Sequence, residues 1–365
     1  MFCGDGHGTT VVMWRTIKFS LKLPQGPQQG TAGKEEFLLG RQPDGCAGEH
    51  NLKLLLSSSF DQENQMQCNR CRHTAIISQQ YSGLHLCRQH FVTDFEAKAK
   101  RAIRTHRWME SHDHIAVGLS AGAASSALLF FLKALTSERR DITLSAIAVD
   151  EGIFGYRDPS VAVKVAHSLG IRCVVASFRD EYGTGMDEIA AGKGASDPCL
   201  YCRVLRRSLM DRIARRQGIT KLAVGSTLDD EAGGVLMDMV RGDAECLLLR
   251  NRKIPGTVPW IRPFMYIPEP EVALYARIHL YHEGAEAERC PCAHDALRRD
   301  IKTVLADYTL RHPSTGYSMV AIGERLAEAG ETIAAGIRTC ERCGEPCSGT
   351  CGSCQILMEV RRSAA

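Results

Sequence analysis

A chain of 365 residues, 44% hydrophobic and 24% charged, has the length for two domains or one large domain with appendages and an ordinary globular composition. Collagen-like, wholly disordered and multi-spanning membrane classes are excluded. Its 45 basic and 42 acidic residues leave a net charge of +3, so nucleic-acid binding must come from local patches. With only 6% aromatic residues, extended base-stacking platforms are not expected.

Residues 1–66 carry GDGHG, LPQGPQQGTAG and a serine triplet (Ser57–Ser59) without sustained periodicity, which reads as a disordered or weakly structured extension. The start lacks the basic-then-apolar pattern of a signal peptide, because Val11–Trp14 is too short an apolar run. No stretch approaches the roughly 20 apolar residues of a spanning helix. A cytoplasmic protein without a membrane partner is therefore expected, and its sixteen cysteines are expected to be ligands or thiols rather than disulfides.

Cys68-Asn-Arg-Cys71 and Cys87-Arg-Gln-His90 form two short ligand pairs separated by a hairpin-length segment. Such pairs curl around one tetrahedral zinc ion, and a closed Cys3His set points to a structural role. The helical segment Phe91–Trp108 that follows is basic, with Lys98, Lys100, Arg101, Arg104 and Arg107. It is either a solvated face or a phosphate contact.

Residues 113–240 alternate strand and helix signals. Strands are expected at His114–Leu119, Ile142–Val149, Ile171–Ser177 and Lys221–Gly225, with helices at Ser126–Leu135, Val161–Leu169, Leu205–Arg216 and Asp229–Arg241. Alternation at this spacing specifies an α/β fold, a doubly wound and mainly parallel sheet, with ligands beyond the carboxyl ends of its strands. Helices are expected at Glu271–His282, His294–Leu310 and Gly316–Ala329. The tail holds Cys340-Glu-Arg-Cys343 and Cys351-Gly-Ser-Cys354, a second four-thiol zinc set with Cys347 to spare. The expected division is an extension (1–66), an N-terminal zinc finger with its basic helix (67–110), a nucleotide-binding α/β domain (111–265), a helical part (266–335) and a C-terminal zinc finger (336–358).

Four segments carry chemistry. The loop Ser120-Ala-Gly122-Ala-Ala-Ser125-Ser126 follows the first strand and opens a helix. Its backbone N–H groups and the positive helix end suit a phosphate, although many strand–helix turns need small residues for packing alone. Cys199-Leu-Tyr-Cys202 has no second pair nearby. Cys290-Pro-Cys292 is the other unassigned cluster, so three cysteines from two loops would form a centre with an open position. A redox dithiol or a third zinc competes with that reading. Six arginines and one aspartate over 203–216 give a charge of +5, which favours phosphate contact. Asp229, Asp230 and Glu231 open a helix as dipole complements or as holders of a magnesium ion.

In consecutive order over residues 68–356, the finger, AVGLSAGAASSALL, AVDEGIFGYR, DPCLYCRVLRR, GSTLDDEAGGVLMDMVRGD, IRPFMYIPEPEVALYA, RCPCAHDALRRDI and CERCGEPCSGTCGSC resemble the ATP-dependent tRNA uridine 2-thiolation enzymes. These are the TtuA-like and cytosolic thiouridylase branch of the PP-loop superfamily. The resemblance implies a PP-loop, adenine nucleotide alpha hydrolase-like sheet that binds ATP and Mg2+, and adenylation of the C2 oxygen of a tRNA uridine. It further implies sulfur transfer at a [4Fe-4S] cluster held by Cys199, Cys202 and Cys290, two structural Zn2+ sites, a ubiquitin-like sulfur-carrier partner and a homodimer. By the same resemblance Cys199, Cys202 and Asp150 are catalytic candidates. Ser120, Gly122, Ser125, Ser126, Gly225, Asp229, Asp230 and Glu231 are nucleotide-site candidates.

The chain departs from the family pattern in two places. Where the family loop reads SGGKDS, Ala123 and Ala124 replace lysine and aspartate, and Ser226-Thr227 stands where His-Asn is common. Loss of one charge-assisted contact costs about 1.5–3 kcal/mol. A non-catalytic tRNA-binding paralogue, or another PP-loop tRNA-modifying enzyme, is the alternative.

Overall fold

The computed structural model describes residues 66–191, 198–250, 256–280, 290, 296–329, 338–343, 346–347 and 350–364. The expectation for the extension falls almost wholly outside the described residues.

Chain order runs through a short antiparallel hairpin, β1 (Ile77–Gln79) and β2 (Leu84–Leu86), into α1 (Arg88–Thr105). Alternating elements follow: β3 (His114–Gly118), α2 (Ala123–Thr136), β4 (Thr143–Asp150), α3 (Pro159–Ser168), β5 (Cys173–Ser177), α4 (Phe178–Tyr182), α5 (Met186–Ala191), α6 (Pro198–Arg216), β6 (Lys221–Ala223), α7 (Leu228–Arg241), α8 (Ala244–Leu249) and β7 (Trp260–Ile261). The helices α9 (Glu269–Leu280), α10 (Ala296–Arg311) and α11 (Thr315–Ala329) come next. The small pair β8 (Arg338–Thr339) and β9 (Pro346–Cys347) and helix α12 (Gly352–Ala364) close the chain.

The central sheet has the order β5-β4-β3-β6-β7, and every pairing is parallel. Burial on both faces explains the unbroken apolar runs IAV in β3 and AIAV in β4. On one face, Phe91 and Phe95 of α1, Leu128 and Phe131 of α2 and Tyr275 of α9 pack against Ile115 and Val117. On the other, Leu205, Leu209 and Met210 of α6, Phe178 of α4 and Ile356 of α12 pack against Ala116 and Ile147. The chain winds outward in both directions from β3, so the switch point lies between β3 and β6. A crevice opens there at the carboxyl ends.

Several expectations shift. Helix α6 begins at Pro198, seven residues earlier than expected, with proline at a helix start where its missing N–H costs nothing. Cys199 and Cys202 therefore ride on a helix rather than a loop. The fifth strand, β7, is only two residues long and escapes any periodicity argument. Short α4, α5 and α8 were likewise invisible. The basic face of α1 is partly spent on internal pairs: Lys98 with Asp94 at 2.6 Å and Glu271 at 3.1 Å, and Lys100 with Glu96 at 3.0 Å. The Phe95 and Tyr275 rings stack at 4.0 Å, and Tyr81 donates to Glu271 at 2.6 Å. The N-terminal finger and the sheet thus share one core.

Candidate active site

A cavity of about 740 Å³ occupies the crevice at the switch point. The loop after β3, the segment 225–231 after β6 and the arginine-bearing face of α6 all line it. Two glycines permit this closeness. A Cβ on Gly118 would meet Met210 Cε at 2.6 Å, and one on Gly225 would meet the carbonyl oxygen of Ala124 at 2.6 Å.

Ser120, Gly122 and Ser125 line the cavity as the sequence suggested. The Ser120 backbone N–H donates to Ser125 Oγ at 3.2 Å, and Ser125 Oγ donates to the Gly122 carbonyl at 3.1 Å. No side chain caps α2 at Gly122, so its first-turn amides remain open to an anion. Ala121 adopts a left-handed backbone at φ 59°, where the family motif has glycine. The fold holds the turn there against the cost of a Cβ. Ser126 is fully buried below the loop, and its Oγ has no partner among the described residues; it does not line the cavity.

Gly225, Asp229, Asp230 and Glu231 also line the cavity, yet the three acids have internal duties. Asp230 and Thr227 form a capping box on α7: Asp230 N donates to Thr227 Oγ1 at 3.3 Å and Thr227 N donates to Asp230 Oδ2 at 3.1 Å. Asp229 accepts from the Glu269 N–H at 2.6 Å. Glu231 is buried against Arg262 at 3.2 Å and Arg250 at 3.6 Å, and accepts from Ser226 Oγ at 2.5 Å. The helix-opening reading of these acids is thus satisfied within the chain.

Asp150 ends β4, and its Oδ1 accepts from the Gly152 N–H at 2.9 Å. The neighbouring Glu151 lines the cavity and is the residue that sequence reasoning undervalued. It is buried and ion-paired to Arg206 at 2.8 Å and to Arg157 at 4.0 Å. Arg206 in turn donates to Cys202 Sγ at 3.0 Å. The i,i+4 spacing of Cys202 and Arg206 is the signal that a helix assignment would have exposed.

Cys290 packs against the core cluster containing Cys202, and lies close enough to Cys202 and Tyr156 to perturb both. Burial pushes the Cys202 thiol above its ordinary value; Glu151 and Cys290 add to this, and Arg206 opposes it. Cys199 sits one turn earlier on α6. Two thiols on one helical turn, a third packed against the cluster of one of them, and a guanidinium hydrogen-bonded to that sulfur are donors of the type that iron–sulfur clusters use. Cys292 lies outside the described residues.

The two outer cysteine sets are of another kind. Cys68, Cys71, Cys87 and His90, and separately Cys340, Cys343, Cys351 and Cys354, bring one ligand atom each to within 4.8 Å of the others. Four soft ligands so placed fit one tetrahedral ion. The Cys351 N–H donates to Cys340 Sγ at 3.5 Å and lowers that thiol to about 6. The second set braces the site from behind: Ile356 and Val360 of α12 pack against the α6 face of the core, and Tyr201 donates to Glu359 at 2.7 Å. Cys347 lies in β9.

A parallel sheet wound outward from its first strand, with an open-amide loop at the switch point, is the architecture of an α/β nucleotide-binding protein. A PP-loop domain model matches residues 91–282, and the 2-thiouridine synthetase TtuA N-terminal LIM domain matches residues 67–92. The tRNA 2-thiolation protein NcsA of Haloferax volcanii is 34% identical over 324 residues, covering 81% of this chain and 99% of that protein. Cytoplasmic tRNA 2-thiolation protein 1 of Saccharomyces cerevisiae is 31% identical over 316 residues, covering 82% and 87%. Among solved structures, the U34-tRNA thiolase NcsA from Methanococcus maripaludis with its [4Fe-4S] cluster aligns with a TM-score of 0.66 and 31% identity, over 72% of this chain and 88% of that one. The chain belongs to the PP-loop tRNA 2-thiolation family.

Proposed function

We propose that the protein is an ATP-dependent tRNA uridine 2-sulfurtransferase acting in the cytoplasm. The observation that supports this reading most directly is the packing of Cys290 against the core cluster of Cys202, whose hydrogen-bond partner Arg206 lines the same cavity as the loop after β3. ATP would rest its phosphates on the open amides of α2 with Mg2+; attack of a tRNA uridine C2 oxygen on the α-phosphorus would release pyrophosphate, and addition of sulfur at C2 would then release AMP. Cys199, Cys202 and Cys290 would hold a [4Fe-4S] cluster, which would supply sulfur-transfer chemistry next to the activated uridine. The protein's own part is positional. Glu151 holds Arg206, Arg206 holds the Cys202 sulfur, and α6 spans the distance between the thiols and the loop. Cys68, Cys71, Cys87 and His90, and Cys340, Cys343, Cys351 and Cys354, would each hold a Zn2+ ion, which would staple the flanking segments. A ubiquitin-like carrier is the sulfur donor consistent with this chemistry.

A second reading is favoured by one specific observation, the pair Ala123 and Ala124 in the loop. A chain without the loop lysine and aspartate that retains tRNA binding alone would be a non-catalytic paralogue. Anaerobic purification with iron and sulfide analysis, followed by incubation with tRNA, ATP and a sulfide source and mass spectrometry of the nucleosides, separates the two. The expected result is about four irons per chain and ATP-dependent 2-thiouridine. Colourless, iron-free protein overturns the cluster, and a tRNA-binding chain that yields no thiouridine establishes the paralogue.

A further inference from the structure

The six arginines of segment 203–216 looked equivalent in sequence, and the fold divides them. Arg215 pairs with Asp211 at 3.2 Å and Arg216 pairs with Glu181. Arg212 lies 5.4 Å over the Tyr182 ring, and Arg206 is committed to Glu151 and Cys202. Arg203 and Arg207 are different. Both line the cavity, one helical turn apart on α6, and among the described residues neither has a carboxylate within ion-pair reach.

Other cations on the same wall are engaged: Arg250 with Glu231 and Asp238, Arg262 with Glu231, and Lys302 with Glu269 at 2.7 Å. Like charges at i,i+4 destabilise a helix, so the Arg203–Arg207 pair is unfavourable until an anion arrives. Burial, with Arg262 and more weakly Arg203, pushes the Arg207 pKa below the usual guanidinium value, although Asp211, beyond ion-pair distance and already paired with Arg215, opposes the shift. The Arg207 guanidinium lies 5.0 Å over the Trp260 ring, which orients its donor fork. Three residues further along α6, Met210 abuts Gly118 at the root of the loop after β3. At about 1.5 Å of rise per residue, Arg207 sits within one turn of that contact.

The loop opposite offers amides but no full positive charge, because Ala123 occupies the motif's lysine position. We propose that Arg203 and Arg207 take the polyphosphate of the bound nucleotide, supplying from α6 the positive charge that the loop lacks. The proposal rests on the nucleotide reading above. Phosphate chemistry is shared by tRNA, but the nucleotide is favoured because this pair stands beside the loop root, with Arg207 stacked on the Trp260 ring.

Isothermal titration calorimetry of the full chain, purified anaerobically, tests this with ATP, tripolyphosphate and AMP as separate probes. Arg207→Ala is expected to weaken ATP and tripolyphosphate about ten- to a hundredfold while AMP changes less than about threefold. Arg203→Ala follows in the same direction, and Arg207→Lys recovers part of the loss. Ala123→Lys placed in the Arg207→Ala chain restores ATP affinity by about tenfold. Unchanged ATP affinity in both arginine variants overturns the proposal. So does a parallel loss of AMP and ATP, which marks collapse of the pocket, or a loss of tRNA affinity with ATP binding intact. A parent chain that binds no ATP at all removes the nucleotide reading and the proposal with it, a result distinct from a parent that binds ATP and an Arg207→Ala variant that binds it equally.

Discussion

The two ends of the same strands behave in opposite ways. At the amino ends of β3 and β6, Asp113 accepts from Lys221 Nζ at 2.8 Å, Thr220 Oγ1 at 2.7 Å and the Glu110 N–H at 2.7 Å, and both charged groups are buried. These groups are closed on one another, which pins the two strands that flank the switch point. At the carboxyl ends, the loop amides, Arg203 and Arg207 face a cavity with no such closure. Polar groups satisfied within the chain hold a fold; polar groups left facing a cavity are available to a ligand.

The sharpest break in that comparison is Cys202→Ser. Thiolation should fall at least a thousandfold, equivalent to about 4 kcal/mol in barrier, with the melting temperature essentially unmoved. A variant that melts early with partial activity would place Cys202 among the structural groups.

Lys221→Met tests the opposite end. It strands a buried carboxylate and should cost about 3–5 kcal/mol of stability by denaturant titration at pH 7, while the affinity for ATP in the remaining folded chain stays unchanged. The pH dependence has a definite sign. Burial raises the Asp113 carboxyl, but Lys221 and the other donors more than offset this and hold it below 3.8. The parent's stabilisation is therefore complete at neutral pH and lost as pH falls through that depressed value. In the variant the carboxyl titrates higher and is relieved earlier, so the gap between the two proteins should narrow from pH 7 to pH 4.

Smaller effects refine the picture at the cavity rim. Thr227→Ala removes half of a capping box and should cost about 1 kcal/mol, read as a lower melting temperature. Ala121→Gly should stabilise by about 1 kcal/mol or less, because a left-handed residue loses its Cβ penalty while the unfolded chain gains freedom. Destabilisation by that change would mean the loop turn is held by contacts of the alanine methyl.

The sequence by itself determined much of this protein. Parallel strands buried on both faces must read as short apolar runs between helices, so the sheet was legible from HIAVGL and the segments after it. Both four-ligand sets were legible because their ligands are local pairs whose spacing matches one ion. What escaped was whatever depends on long-range partners. The two-residue β7 has no pattern of its own, and Ser126 points into the core although its neighbour Ser125 points to the cavity. Glu151 gains its meaning only from Arg206 fifty-five positions later, and Asp229, Asp230 and Glu231 turn out to be engaged within the chain. Tertiary structure alone decided which two of six arginines would line the cavity without an ion pair, because charge composition is additive along a chain while pairing depends on which side chains the folded sheet brings within a few ångströms.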